Sequence, residues 1–175
     1  MPLLNLYRHS IVTRLLISMA LVSFLSIAIV AFSLQLLMND RVKSEMATRA
    51  DTITQSLQSA LHIMGNSTDL PRMVNALSAA KDVKTIVVTQ GTPPQIIAAS
   101  DDSLIGQPFE TALPEDTQTD ILVAYNDWQS HPHFHPAEKI YEVSIPLRIK
   151  SRDLSKIEPG VIHLAMSSAA PHNAV

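Results

Sequence analysis

Cysteine is absent from this 175-residue chain. That absence excludes disulfide scaffolds, thiol nucleophiles and Cys-ligated metals, and it leaves either redox compartment open. Glycine is scarce, four residues against eleven prolines, so the loops are expected to be stiff rather than phosphate-cradling. No basic block occurs either. Lys and Arg number 13 against 16 Asp and Glu, a formal net charge of −3, and nucleic acid is not an expected partner. HExxH and kinase signatures are missing. Ser100, Asp101, Asp102 and Ser103 are adjacent, but turn-favouring residues in a loop account for them. No catalytic residue is assigned, and no cofactor is expected.

What the chain does have is one long apolar run. Residues 15–38 read LLISMALVSFLSIAIVAFSLQLLM, without Asp, Glu, Lys, Arg or His. As a helix rising 1.5 Å per residue it reaches about 36 Å, more than a hydrocarbon core of roughly 30 Å. Ser18, Ser23, Ser26 and Ser33 can satisfy their hydroxyls on carbonyls one turn earlier, so they cost little in lipid. A core helix of a soluble domain would show a polar face, and this one has none. A cleaved signal peptide fits poorly: its apolar region should stop at about 7–15 residues, and no small-x-small site follows Met38. The reading is an uncleaved anchor. Arg8 and Arg14 on one flank balance Arg41, Lys43 and Arg49 on the other, so charge alone does not orient it.

Beyond the anchor, residues 39–64 lack Pro and Gly and place Met46, Ala50, Ile53, Leu57, Ala60 and Met64 at alternating spacings of 4 and 3. That heptad seam predicts a helix continuing from the anchor. Two uses of the seam stay open: packing on the chain's own domain, or pairing with a second copy as a partial dimer stalk. Gly65, Asn66 and Ser67 are expected to end the helix. Asp69 and Pro71 start a short second one, with Met73, Val74 and Leu77 as its apolar face.

Strands follow at 83–89 (VKTIVVT) and 95–99 (QIIAA), joined by a turn over 90–94 as a hairpin. A loop spans 100–109, and helix-start residues predict a helix over 114–128. Residues 131–136 (HPHFHP) cannot continue that helix. Residues 139–149 alternate as a half-exposed strand bent at Pro146, 151–159 form a polar loop, and 160–167 form the last strand. Tight links between consecutive strands predict an α+β fold, an antiparallel sheet with helices packed on it.

This order resembles the single Cache domain, the PAS-like extracytoplasmic sensor of bacterial transmembrane receptors. The resemblance rests on the N-terminal membrane helix and the long helix that follows it, on the paired strands 83–89 and 95–99, and on the passage ASDDSLIGQ at 99–107. The closing GVIHLAM at 160–166 is similar to that family's final strand. It implies a short cytoplasmic tail over 1–14, a transmembrane helix over 15–38, a periplasmic sensor domain over 39–168, and a frayed tail over 169–175 before a second span that the chain lacks. It implies a place in the bacterial inner membrane and a small-solute ligand, organic acids being common in the family. It also implies transmembrane signalling, with this chain as the front end of a longer receptor. The alternative is a tethered adaptor that binds another membrane protein and senses nothing.

Two groups of residues are candidates for chemistry. A carboxylate ligand needs an Arg or Tyr donor in a partly apolar cleft, and Tyr125, Trp128, Tyr141 and Arg148 are available. His131, His133 and His135 share one face if the segment is extended, so three imidazoles could meet one Zn²⁺, Ni²⁺ or Cu²⁺, with Glu138 or Asp127 as a fourth ligand. Pro132 and Pro136 favour a polyproline-like twist that spreads the rings, and an exposed loop is the simpler account. His62 and His163 read as structural. Expected partners are the lipid bilayer, the solute and a second copy through the membrane-proximal helix.

Overall fold

A computed structural model describes residues 3–64, 69–151 and 156–168, with side chains described from Leu15 and not for Met64. Its elements are α1 (Leu3–Met64), α2 (Leu70–Ser78), β1 (Val83–Gln90), β2 (Gln95–Ala99), a 3₁₀ turn (Asp102–Leu104), α3 (Phe109–Ala112), α4 (Glu115–Asp127), β3 (His131–His135), β4 (Ile140–Lys150) and β5 (Ile157–Ser167). The chain divides into two units, Met1–Arg41 and Val42–Val175. The expected helix stop at 65–67 and the tail at 169–175 lie outside the described residues, as does most of the loop before β5.

In the first unit every described side chain from Leu15 to Met38 is exposed. Phe24, Ile27 and Phe32 are 74%, 68% and 65% accessible, so the apolar side chains are uncovered among the described residues. Ser18 donates to the Leu15 carbonyl at 2.9 Å, the local bond that lets a serine sit in an apolar helix. This helix is long and apolar enough to cross a membrane.

The second unit is α+β, built on one five-stranded antiparallel sheet in the order β2-β1-β5-β4-β3. Its long central partners β4 and β5 pair from Ile140↔Ser167 to Lys150↔Ile157. Both faces are covered. On one, Met46, Ala50, Leu57 and Leu61 of α1, with Leu70 and Val74 of α2, pack against Ile86, Val88, Val143, Ile162, Leu164 and Met166. Each fully buried aliphatic side chain there stabilises by about 1.5–3 kcal/mol. On the other, Ile121 and Ala124 of α4 and Phe109 of α3 pack against Val87, Ile96, Ala99 and Val161. Gln118 clamps α3 to α4 by donating from Nε2 to the Glu110 and Leu113 carbonyls at 2.8 and 2.6 Å.

The heptad seam therefore has an owner. Met46, Ala50 and Leu57 are buried on this chain's own sheet, with Ile53 packed beside them. Of the two uses left open by the sequence, packing on the chain's own domain is the one observed, and those residues are not available for a dimer stalk. The outward face of α1 is polar, and its Thr48, Thr52 and Ser56 hydroxyls donate to carbonyls four residues back.

One element overturns its expectation. Residues 131–135 form β3, an edge strand in register with β4 from His131↔Ser144 to His135↔Ile140, rather than a polyproline-like loop. The reason is position in the sheet: an edge strand tolerates proline where the missing N–H would have faced outwards. The last strand also starts earlier than expected, at Ile157, because β4 runs on to Lys150 and supplies a partner for it.

Candidate functional site

The four expected ligand residues separate into three places. Tyr141 lies in the core on the α1 face, 5% accessible, and burial together with the Asp51 charge raises its phenol above the ordinary value. Tyr125 is held by the β1–β2 turn: its hydroxyl lies 2.7 Å from Thr92 Oγ1 and donates to the Gly91 carbonyl at 3.3 Å. Trp128 and Arg148 do come together, with the guanidinium carbon 5.9 Å from the indole ring centre. A strand explains the split. Tyr141 and Arg148 are seven residues apart on β4, an odd number, so they point to opposite faces.

Trp128 and Arg148 line a cleft of about 390 Å³ with Ile157, Glu158 and Pro159. The register places Pro159 opposite Arg148 and Ile157 opposite Lys150, so the start of β5 forms its far wall. Trp128 ends α4 in the left-handed conformation, φ 54° and ψ 35°, with its N–H donating to the Ala124 carbonyl. Glycine or asparagine is usual at that position, and a bulky residue there is strained. Backbone strain of this kind is commoner at functional sites than elsewhere. The indole nevertheless stays 44% accessible and Ile157 64% accessible. The cleft thus offers a planar cation stacked on an aromatic face, an apolar wall and one carboxylate. Arg148 can take a carboxylate in two parallel hydrogen bonds while Trp128 and Ile157 cover an apolar body. Sequence reasoning missed Ile157, Glu158 and Pro159 because 151–159 read as loop; an isolated Ile two residues before a Pro was the only signal.

The three histidines of β3 do not meet at one point. Among the described residues no three His, Asp or Glu side chains are arranged to hold a metal ion. The rings of His133 and His135 stack face to face, 4.8 Å apart and 13° from parallel, which turns their faces together instead of converging their nitrogens. His131 Nε2 lies 3.7 Å from Asp127, and His135 Nε2 lies 3.5 Å from Glu142. These are two separate acid–base pairs, and the expected shared site is not formed.

The histidine read as structural is deeply placed. His163, 1% accessible on β5, has Nδ1 2.9 Å from Ser144 Oγ on β4. Ser144 is itself fully buried, so this hydroxyl and imidazole are closed to substrate and tie two strands together. Burial pushes the imidazole below the ordinary histidine value, against a smaller opposite pull from Glu142, Asp120 and Asp116.

The passage at 100–103 is also committed to local structure. Asp101 accepts from the Ser103 hydroxyl at 2.7 Å and its N–H at 2.9 Å, which holds the carboxyl below the usual range. Ser100 Oγ accepts the Ile86 N–H at 3.2 Å. Both residues border an open recess of about 570 Å³, whose walls include Lys84 and Thr85 on one hand and Leu104 and Leu113 on the other. No family model and no curated protein matches this chain.

Proposed function

We propose that this chain is a membrane-anchored sensor domain of the PAS-like, single Cache type. In this reading residues 15–38 cross the inner membrane of a bacterium and Val42–Val175 faces the periplasm, where a small organic acid binds in the Trp128–Arg148 cleft. The observation that carries the anchor is an apolar helical surface exposed on every side. Lipid is the solvent that such a surface suits. The Arg–Trp pair supports a carboxylate ligand, and α1 supplies a mechanical route, since its residues 46–61 pack directly on the sheet. A solute that prefers one setting of that packing shifts the population towards it. Pairing of copies, part of the same reading, falls to the apolar segment because the seam is already used.

The test uses the full chain in detergent micelles against a panel of mono- and dicarboxylates, read by thermal unfolding. A saturable stabilisation that Arg148→Ala abolishes is the expected result. No stabilisation by any acid removes the solute, and the anchor stands or falls separately by protease treatment of spheroplasts. Added protease is expected to digest the C-terminal domain without opening the inner membrane. The adaptor reading gains from one observation: Leu122 and Val123 on α4 are also exposed. A partner that co-purifies with the wild type and is lost with Leu122→Glu, without any solute binding, would favour it.

A further inference from the structure

A second groove lies on the opposite side of the sheet from the Trp128 cleft. It encloses about 350 Å³ between α1 and the ends of β1 and β5, and its walls include Val42, Glu45, Met46, Arg49, Lys81 and Asp82. Arg49 spans it. One guanidinium nitrogen lies 2.9 Å from Asp82 and another 2.7 Å from Glu45. These contacts engage two of the five N–H donors that a guanidinium carries. Lys81 sits beside them, exposed, with no ion pair among the described residues. The groove thus sets two cations against two carboxylates over an apolar wall of Val42 and Met46.

That balance selects a ligand class. A simple anion would meet Glu45 and Asp82 as well as its partners, and a simple cation would meet Arg49 and Lys81. A molecule carrying both signs can set each charge against its complement, with its neutral part on Val42 and Met46. Chain connectivity limits the source. Val42 follows the last residue of the apolar run by four positions, so at most about 14 Å of chain separates them. We propose that this groove binds the headgroup of a zwitterionic phospholipid, its phosphate on Arg49 and Lys81 and its ammonium on Glu45 and Asp82. The inference rests on the membrane-anchor reading for the lipid source, and on the groove alone for the chemistry.

The test uses the full chain in detergent micelles, titrated separately with glycerophosphoethanolamine, inorganic phosphate and ethanolamine, and read by thermal unfolding. The expected result is saturable stabilisation by glycerophosphoethanolamine in the millimolar range, with no comparable effect of the other two. Lys81→Ala and Glu45→Gln, both exposed positions that leave the fold intact by circular dichroism, should each weaken the apparent affinity about fivefold. Equal stabilisation by phosphate or ethanolamine overturns the proposal, as does an unchanged affinity in both variants. Flotation with phosphatidylethanolamine vesicles tests the anchor independently. Failure to float with binding retained would make the ligand a free headgroup and overturn the lipid assignment.

Discussion

The two faces of the sheet are built on different terms. Towards α1 and α2 the core is mainly apolar, from Met46 to Met166, and the buried Thr54 of α1 turns its hydroxyl back to the Ala50 carbonyl at 2.7 Å. Towards α4 the same strands alternate apolar side chains such as Val87 and Val161 with buried polar ones, Thr89, Ser144 and His163. Thr89 can donate to the Val161 carbonyl at 3.4 Å, and Ser144 and His163 satisfy each other. An apolar face tolerates sliding and repacking of similar shapes, whereas a polar one is correct only when its bonds are made. The helix that carries the apolar run is thus seated on the more forgiving face.

The contrast can be broken first on the α1 face. Leu57→Ala removes a fully buried side chain and should cost about 2–5 kcal/mol in urea unfolding of the detergent-solubilised chain. A loss under 1 kcal/mol would mean that the seam is not seated on the sheet. Gly160→Ala comes next. An added Cβ would sit against the Thr89 carbonyl oxygen and the Ile149 side chain, both held by the sheet, so about 1–3 kcal/mol should be lost by the same measurement.

The α4 face is sharpened by pH. His163 is buried in a form that resists protonation, so its folded-state value lies below that of the unfolded chain. Its contribution is fully present above the unfolded value of about 6.5 and is lost as pH falls from there through the lowered folded value. The melting temperature should fall between neutral pH and pH 5, and His163→Leu should flatten that fall. An unchanged slope in the variant would assign acid sensitivity to other groups. The smallest effect belongs to Trp128→Gly, which relieves the left-handed strain while removing the ring from the cleft. Stability should move by less than about 1 kcal/mol in thermal unfolding while stabilisation by carboxylates disappears.

Much of this fold was legible because its signals were local and redundant. The apolar run, the 4–3 spacing at Met46 to Leu57, and the β-branched stretches at 83–89 and 95–99 each point to one structure. The destination of the seam was not legible, since a heptad pattern specifies an apolar stripe and says nothing of what covers it. Residues 131–135 were misread because proline rules depend on whether a strand lies at an edge, and that is a property of the whole sheet. The cleft was half legible. Tyr141 and Arg148 were grouped although the alternation along 139–149 sets them on opposite faces, and the meeting of Trp128 with Ile157 and Pro159 depends on the β4–β5 register, which no local pattern encodes.

Pro132 has a consequence of another kind. β3 closes one side of the sheet, and the open margin of a sheet is a template on which a foreign strand can add. This margin is five residues long, lacks one N–H at Pro132, and is followed by a second proline at 136. A recruited strand would find an interrupted row of donors and a surface crowded with imidazoles. The domain is thereby protected from growing into a continuous ribbon with its neighbours, and the cost of that protection is confined to a strand that contributes little to the core.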